Sequence, residues 1–334
     1  MMQTKIFGNL LILFLIGGFL ISCSSQDQSP TNLSGTSVGN STDSQEETVT
    51  VVEADSGNDQ PLYTLNWKLD DGEIVAYRTA MNPAHDADSS ISFNFDQLFT
   101  ENDTSNDIRQ QLSNIKLPET FSMISILEKN PQDNISVKMI VDEIGLSENE
   151  SDNAINEGLN QLMGAMEGTV QLRGELTPDG AISSFYLEQN QRNLIAIFFE
   201  LPIKPVQLGE NWEIDVNCIA MGNGFIATNA DQVNRVEFTG LTENDEGKAI
   251  AILDYLIAET VEGDFQTPFS DEVVPTSMTC TFLGQGLFLI EEGRWEQFTG
   301  EFAIKATGML ESDVIQHFAL IPLENVPEEY IELR

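Results

Sequence analysis

The chain has 334 residues, 54 of them acidic and 15 basic, giving a formal net charge of −39 at pH 7. So acidic a surface repels phosphate backbones and anionic head groups, which argues against nucleic-acid binding and against membrane docking through a basic patch. Hydrophobic residues make up 41% of the chain, enough for one large or two small domains once a polar N-terminal stretch is set aside. The acids read first as a solvated surface, and second as decoration for divalent cations.

At the N-terminus, Lys5 is the only charge before Cys23, and the apolar run from Leu10 to Ile21 contains two glycines. That run is too short for a membrane-spanning helix, which needs about 20 apolar residues. The pattern is that of a signal peptide over residues 1–22. Leu20-Ile21-Ser22-Cys23 resembles the lipobox of bacterial lipoprotein precursors of the Gram-negative type. The resemblance implies that Cys23 takes a diacylglycerol on its thiol, becomes the first residue after cleavage and is acylated on its new amino group. Several acyl chains suit a stable anchor, because one myristoyl chain binds a membrane with only about 10⁴ M⁻¹. Ser24 is compatible with sorting to the outer membrane, on a side the sequence does not reveal. The bland alternative is an ordinary secretory signal with a stray cysteine.

Residues 23–60 are rich in Ser, Thr, Asn, Gln, Gly and acids, with one aliphatic patch at Val49 to Val52. They bury too little to offset ordering and are expected to form a disordered tether. Gly35-Thr36-Ser37-Val38-Gly39 has the spacing of a hydrolase nucleophile elbow, but the strand and helix that the elbow requires are missing around it.

A β-rich body follows in two halves, 61–200 and 201–334. Tyr63, Leu65, Trp67 and Leu69 alternate with polar residues as in a half-buried strand. Asp70 to Glu73 makes a turn, and Ile74 to Met81 forms a second strand. Ile108, Leu112 and Ile115 stand at helical spacing in an insertion near 95–117. Phe121–Leu127 and Ile135–Ile144 are expected to pair as a hairpin across Asn130-Pro131-Gln132-Asp133. A helix near 152–166 carries Ile155, Leu159, Leu162, Met163 and Met166 on one face. Alternation from Thr169 to Leu176, the turn Thr177-Pro178-Asp179-Gly180 and a return strand to Leu187 precede a second helix near 190–200. In the second half, Trp212 to Ala220, Asp231 to Leu241, Ala249 to Ala258, Met278 to Phe282, Trp295 to Ala306 and Val314 to Ile321 all read as strands.

Pro202, Lys204, Pro205 and Val206, then Gly209, Glu210 and Trp212, then Gly284, Gly286, Gly293 and Arg294 resemble the arrangement in an uncharacterised family of secreted bacterial lipoproteins. The resemblance covers roughly 61–320, implies a fold and transfers no catalytic residue.

The two halves also match one another in spacing. Gly72-Glu73 answers to Gly209-Glu210, Asn130 to Asn244 and Gly180 to Gly293. Asn130 and Gly180 lie 50 positions apart, Asn244 and Gly293 lie 49 apart. The helical insertion accounts for the extra length of the first half. The expected fold is therefore mainly β (α+β): a curved antiparallel sheet or half-barrel of at least ten strands, built from two tandem similar halves with a few short helices packed on it.

Cys218 and Cys280 fall on inward faces of their strands. They either form a disulfide, closing a loop of about 62 residues worth roughly 4 kcal/mol, or remain buried thiols. Chemistry is otherwise sparse, with only two histidines. His85, beside Asp86 and Asp88, reads as a solvated loop residue rather than a metal ligand. His317 reads as a core or interface histidine rather than a general base. Gly222 to Ala227 imitates a dinucleotide fingerprint without the βαβ unit it needs. The acidic loops 101–107, 148–152 and 243–246 lack the residue order of an EF-hand.

No catalytic residue, metal site or cofactor is assigned. The expectation is a lipid-anchored envelope protein, held to the membrane by its N-terminal lipid, that binds an apolar ligand or an envelope partner protein in a concavity of the sheet. The alternatives are a carboxylate-based hydrolase or carbohydrate-active enzyme and a purely structural envelope protein.

Overall fold

The computed structural model describes residues 60–83, 90–93, 120–145, 161, 163–183, 189–219, 224–266 and 273–333. The signal segment, nearly all of the tether, the insertion near 95–117 and most of the helix near 152–166 lie outside them. Met163, in that helix's last turn, is buried.

Among the described residues eleven strands form one open antiparallel sheet: β1 (Ile74–Pro83), β2 (Ser90–Phe93), β3 (Thr120–Lys129), β4 (Ile135–Gly145), β5 (Val170–Leu176), β6 (Asn211–Glu213), β7 (Phe225–Glu243), β8 (Ala249–Gln266), β9 (Val273–Leu289), β10 (Arg294–Thr307) and β11 (Leu310–Pro322). Among the described residues two named helices accompany them, α1 (Gln189–Phe199) and α2 (Glu328–Glu332). The protein is thus mainly β, as the alternation predicts. The order is β5-β4-β3-β1-β11-β10-β9-β8-β7-β6, with β2 pairing on β11. Each half is a run of neighbouring strands, and the halves meet where β11 pairs with β1, from Tyr77 opposite Pro322 to Pro83 opposite Gln316. They share one sheet and one core.

The turns repeat between the halves. Glu73 N–H donates to Asp70 O at 3.0 Å while Asp70 N–H donates to Glu73 Oε2 at 2.8 Å. Glu210 and Gln207 make the same two bonds at 3.0 and 2.9 Å. At the β3–β4 turn, Asn130 Oδ1 accepts from the backbone of Gln132 and Asn134. At the β7–β8 turn, Asn244 Oδ1 accepts from Glu246 and Lys248. Both turns place a residue in the left-handed region, Asp133 at φ 63° and Gly247 at φ 77°.

Three segments depart from the strand reading. Residues 61–69 keep the alternation, with Leu65 and Trp67 buried and Thr64 and Lys68 exposed, yet they join no ladder beyond a bridge from Tyr63 to Val206. Their backbone is satisfied by turns instead: Trp67 N–H donates to Pro178 O and Lys68 N–H to Gly293 O. Residues 214–219 keep alternation as far as Cys218 but leave the sheet after Glu213, because they cross its inner face. The return after Gly180 is represented by one bridge, Leu176 to Ile182, before 184–188 pass outside the described residues.

The core lies on the face that carries α1. Leu194 to Phe199 are all buried, around the whole circumference of the helix, as expected of a helix enclosed by sheet rather than laid on its surface. Phe198 reaches Phe298 of β10 and Phe318 of β11, with ring centroids 5.6 and 6.5 Å apart. Phe199 reaches Tyr77 of β1 at 6.4 Å. Mid-strand glycines permit this closeness: a Cβ on Gly286 would stand 2.5 Å from the Trp295 ring, and one on Gly300 2.7 Å from Phe282.

Candidate functional site

Four regions carry polar chemistry or exposed apolar surface. The inner face comes first, since an apolar ligand was expected there. Among the described residues it is packed with the chain's own side chains. Trp67, Trp295, Phe288 and Phe298 meet edge-to-face, with Phe288–Trp295 centroids 5.1 Å apart and Trp295–Phe298 5.5 Å. Two polar groups border this core. Tyr255 Oη and Glu200 Oε2 are buried without a hydrogen-bond partner among the described residues. Burial pushes the Glu200 carboxyl up to about 7, against the opposing pull of Arg192 and with a smaller push from Asp215. Burial, and then Glu200, raise the Tyr255 phenol.

The second region is a strap, residues 214–219. From the β6 edge it crosses β7 and β8. Gln232 and Asn234 side chains donate to Val216 O, and Asn193 of α1 exchanges hydrogen bonds with the Asn217 backbone. Glu259 of β8 holds the strap's end, its Oε2 accepting from Cys218 N–H at 2.8 Å and Ile219 N–H at 2.9 Å. Burial raises the Glu259 carboxyl while those two N–H groups pull it down. Cys280 stands directly across the ladder from Glu259. Cys218 and Cys280 are both buried free thiols, and burial, then the neighbouring Cys218, pushes the Cys280 thiol up. Alternation placed both inward; nothing local could reveal that a loop-like strap carries one to the other.

The third region is a charged groove of about 660 Å³ at the turn end of the sheet, lined in part by Lys68, Glu73, Lys129, Asp133 and Arg294. Its cations are already engaged. Arg294 pairs with Glu73 at 2.8 Å, Lys129 pairs with Asp71 and Asp133 at 2.9 and 3.0 Å, and Lys68 Nζ donates to the Ile290 and Glu291 carbonyls. The Arg294 and Lys68 contacts tie the turns of the two halves together, while those of Lys129 stay within the first half.

The fourth region is the outer face. Over β1, β3 and β4 it is covered: Ala76, Ile124, Ile126 and Ile140 lie beneath Leu323, Val326, Tyr330 and Leu333. Lys138 Nζ fastens that cover by donating to the carbonyls of Tyr330, Ile331 and Leu333, where a cation complements a helix C-terminus. Over β8 to β11 no described element lies on top. A shallow groove of about 600 Å³ opens there, its outer rim formed by Asp254, Leu283, Gln285, Thr299 and His317. Leu283 is 49% exposed and Ile321 51%.

His317 is on this outer face, half-exposed, with Nδ1 3.8 Å from Glu301 Oε2; it is not a core residue. Cys23, His85, Asp86 and Asp88 lie outside the described residues, as do acidic loops 101–107 and 148–152. The 243–246 loop is the β7–β8 turn. Among the described residues no three His, Cys, Asp or Glu side chains are grouped to hold a metal ion. Neither groove includes Glu200 or Glu259, the carboxyls raised by burial. Comparison with known protein families, with curated proteins and with solved structures gives no match.

Proposed function

We propose that this chain is a lipid-anchored protein of the bacterial envelope that acts by binding a partner protein on the outer face of β8–β11. Its attachment rests on the lipobox reading of Cys23. The observation that carries the binding role is the asymmetry of the outer face. One half of the sheet is sealed by the chain's own C-terminal segment, while the other leaves Leu283 open at a groove and Ile321 exposed further along β11. Exposed apolar surface rimmed by polar groups marks interaction sites. The inner face supports a partner protein over an apolar ligand, since α1 and its aromatic neighbours occupy it. A carboxylate-based hydrolase has less support, because Glu200 and Glu259 line neither groove.

Site-specific photo-crosslinking in cells tests this reading. A crosslinker at Leu283 is expected to give a discrete adduct that Ile321→Glu removes, whereas one at exposed Ile203 gives none. Equal adducts at both positions, or none at Leu283, would overturn it, as would a non-covalently bound lipid, beyond the acyl chains on Cys23, retained in the native mass of protein taken from its own membranes. Cys23→Ala is expected to release the protein from the membrane fraction, and continued retention would refute the anchor.

A further inference from the structure

Cys218, Cys280 and Glu259 form the one cluster of nucleophilic and acidic side chains inside the described core. We propose that Cys218 and Cys280 are a redox pair whose oxidation to a disulfide fastens the strap, residues 214–219, across the inner face of the sheet. Three geometric facts support it. Glu259 and Cys280 are direct cross-strand partners on β8 and β9. The same Glu259 carboxylate grips the backbone of Cys218. Both thiols are buried in one core cluster, so the carboxylate that holds the strap sets its cysteine over the strand that carries Cys280. Two bonds from one carboxylate to consecutive amides, Cys218 and Ile219, leave the end of the strap little freedom to turn its cysteine away.

The order of events follows from where each sulfur sits. Cys280 is in the middle of β9, ladder-bonded on both sides. Cys218 is on the strap, which is held mainly by side chains of α1, β7 and β8 and can lift without breaking the sheet. With a disulfide oxidant RS–SR, the Cys218 thiol loses its proton and its sulfur attacks one oxidant sulfur. One RSH leaves and a mixed disulfide forms on Cys218. The Cys280 thiol then loses its proton and attacks the Cys218 sulfur, expelling the second RSH. The protein gives up two hydrogens and two electrons in all, and both pass to the oxidant as two thiols. Burial, together with Cys218 and Glu259, holds the Cys280 thiol protonated in the closed strap, so exchange waits on strap opening and the reduced pair resists casual oxidation.

The test uses the full chain carrying Cys23→Ala, so that the two body cysteines are the only thiols, with oxidised glutathione as the probe. Intact mass after incubation of the folded protein should fall by two hydrogens, and thiol titration in denaturant should drop from two groups to none. Hydrogen exchange at the Cys218 and Ile219 amides should then slow relative to the reduced form. With Cys280→Ser, the folded protein should gain one glutathione on Cys218; with Cys218→Ser it should gain none. Two titratable thiols after oxidation would overturn the pair, and glutathione on Cys280 in the Cys218→Ser protein would overturn the order. Should a serine variant fail to fold, the mass and thiol count of the chain with both cysteines still decide.

Discussion

Trp67 and Trp295 close the end of one helix from opposite halves of the chain. Trp67 Nε1 donates to Phe199 O at 2.8 Å and Trp295 Nε1 to Phe198 O at 2.7 Å, while the two rings meet edge-to-face at 6.2 Å. The last carbonyls of a helix have no partner within it. Here two indoles supply that need inside an apolar core where water does not reach. Trp295 is anchored in turn, its backbone N–H donating to Tyr77 Oη at 3.1 Å.

Replacing Trp295 by Phe should therefore cost more than its lost volume, because Phe198 O is left buried and unpaired. We expect a loss of about 2–4 kcal/mol in urea unfolding, and a similar loss for Trp67→Phe. The double variant should depart from additivity, since both act on one helix end. Independent, additive costs would show that the indoles do not share this role.

Asn130 and Asn244 should behave as copies. Each accepts two backbone N–H bonds from the turn that follows it. Asn→Ala at either position should cost about 1–2 kcal/mol, with the two values agreeing more closely than either agrees with an exposed control. A cost at only one turn would sink the equivalence.

The left-handed residue of each turn supplies an asymmetric prediction. Gly247 accepts φ 77° freely, whereas Asp133 holds φ 63° with a side chain attached, a conformation costing roughly 1 kcal/mol or more for an L-residue and less for Asp than for most. Asp133→Gly should leave stability unchanged or raise it slightly, since the lost ion pair with Lys129 is exposed and contributes little. Gly247→Ala should lower the melting temperature.

Glu200 sets a pH dependence. Its carboxyl is raised from 4.5 to about 7 by burial in the folded protein. The folded state keeps this proton over a range where the unfolded chain releases it, so stability falls as pH rises from about 4.5 to about 7 and levels off above. Glu200→Gln should be more stable than the parent at pH 8, and the difference should shrink towards pH 4.5. A difference that stays constant across that range would show that Glu200 does not titrate as described.

Much of the sheet was legible. The β3–β4 hairpin, the β7–β8 hairpin, the inward direction of Cys280 on β9 and the existence of strands β10 and β11 follow from alternation and from Asn and Gly at turn positions. The residues of the outer-face groove were not, because Asp254, Leu283, Gln285, Thr299 and His317 come from four strands and no spacing in the chain joins them. Of the two readings of His317, core or interface, the core one fails for the same reason: Phe318 beside it is buried, and which of two neighbours faces the core depends on the sheet's covering.

By itself, the sequence determined the strand periodicity, the repeated turns and the inward direction of Cys218 and Cys280, since these depend on residues close along the chain. Tertiary structure alone decided that β11 joins the halves into one sheet, that α1 fills its inner face and that a strap brings the two thiols together. Alternation states which side of a strand is apolar. It does not state which strand lies next to it or what covers that side, because those choices depend on packing between segments far apart in the chain.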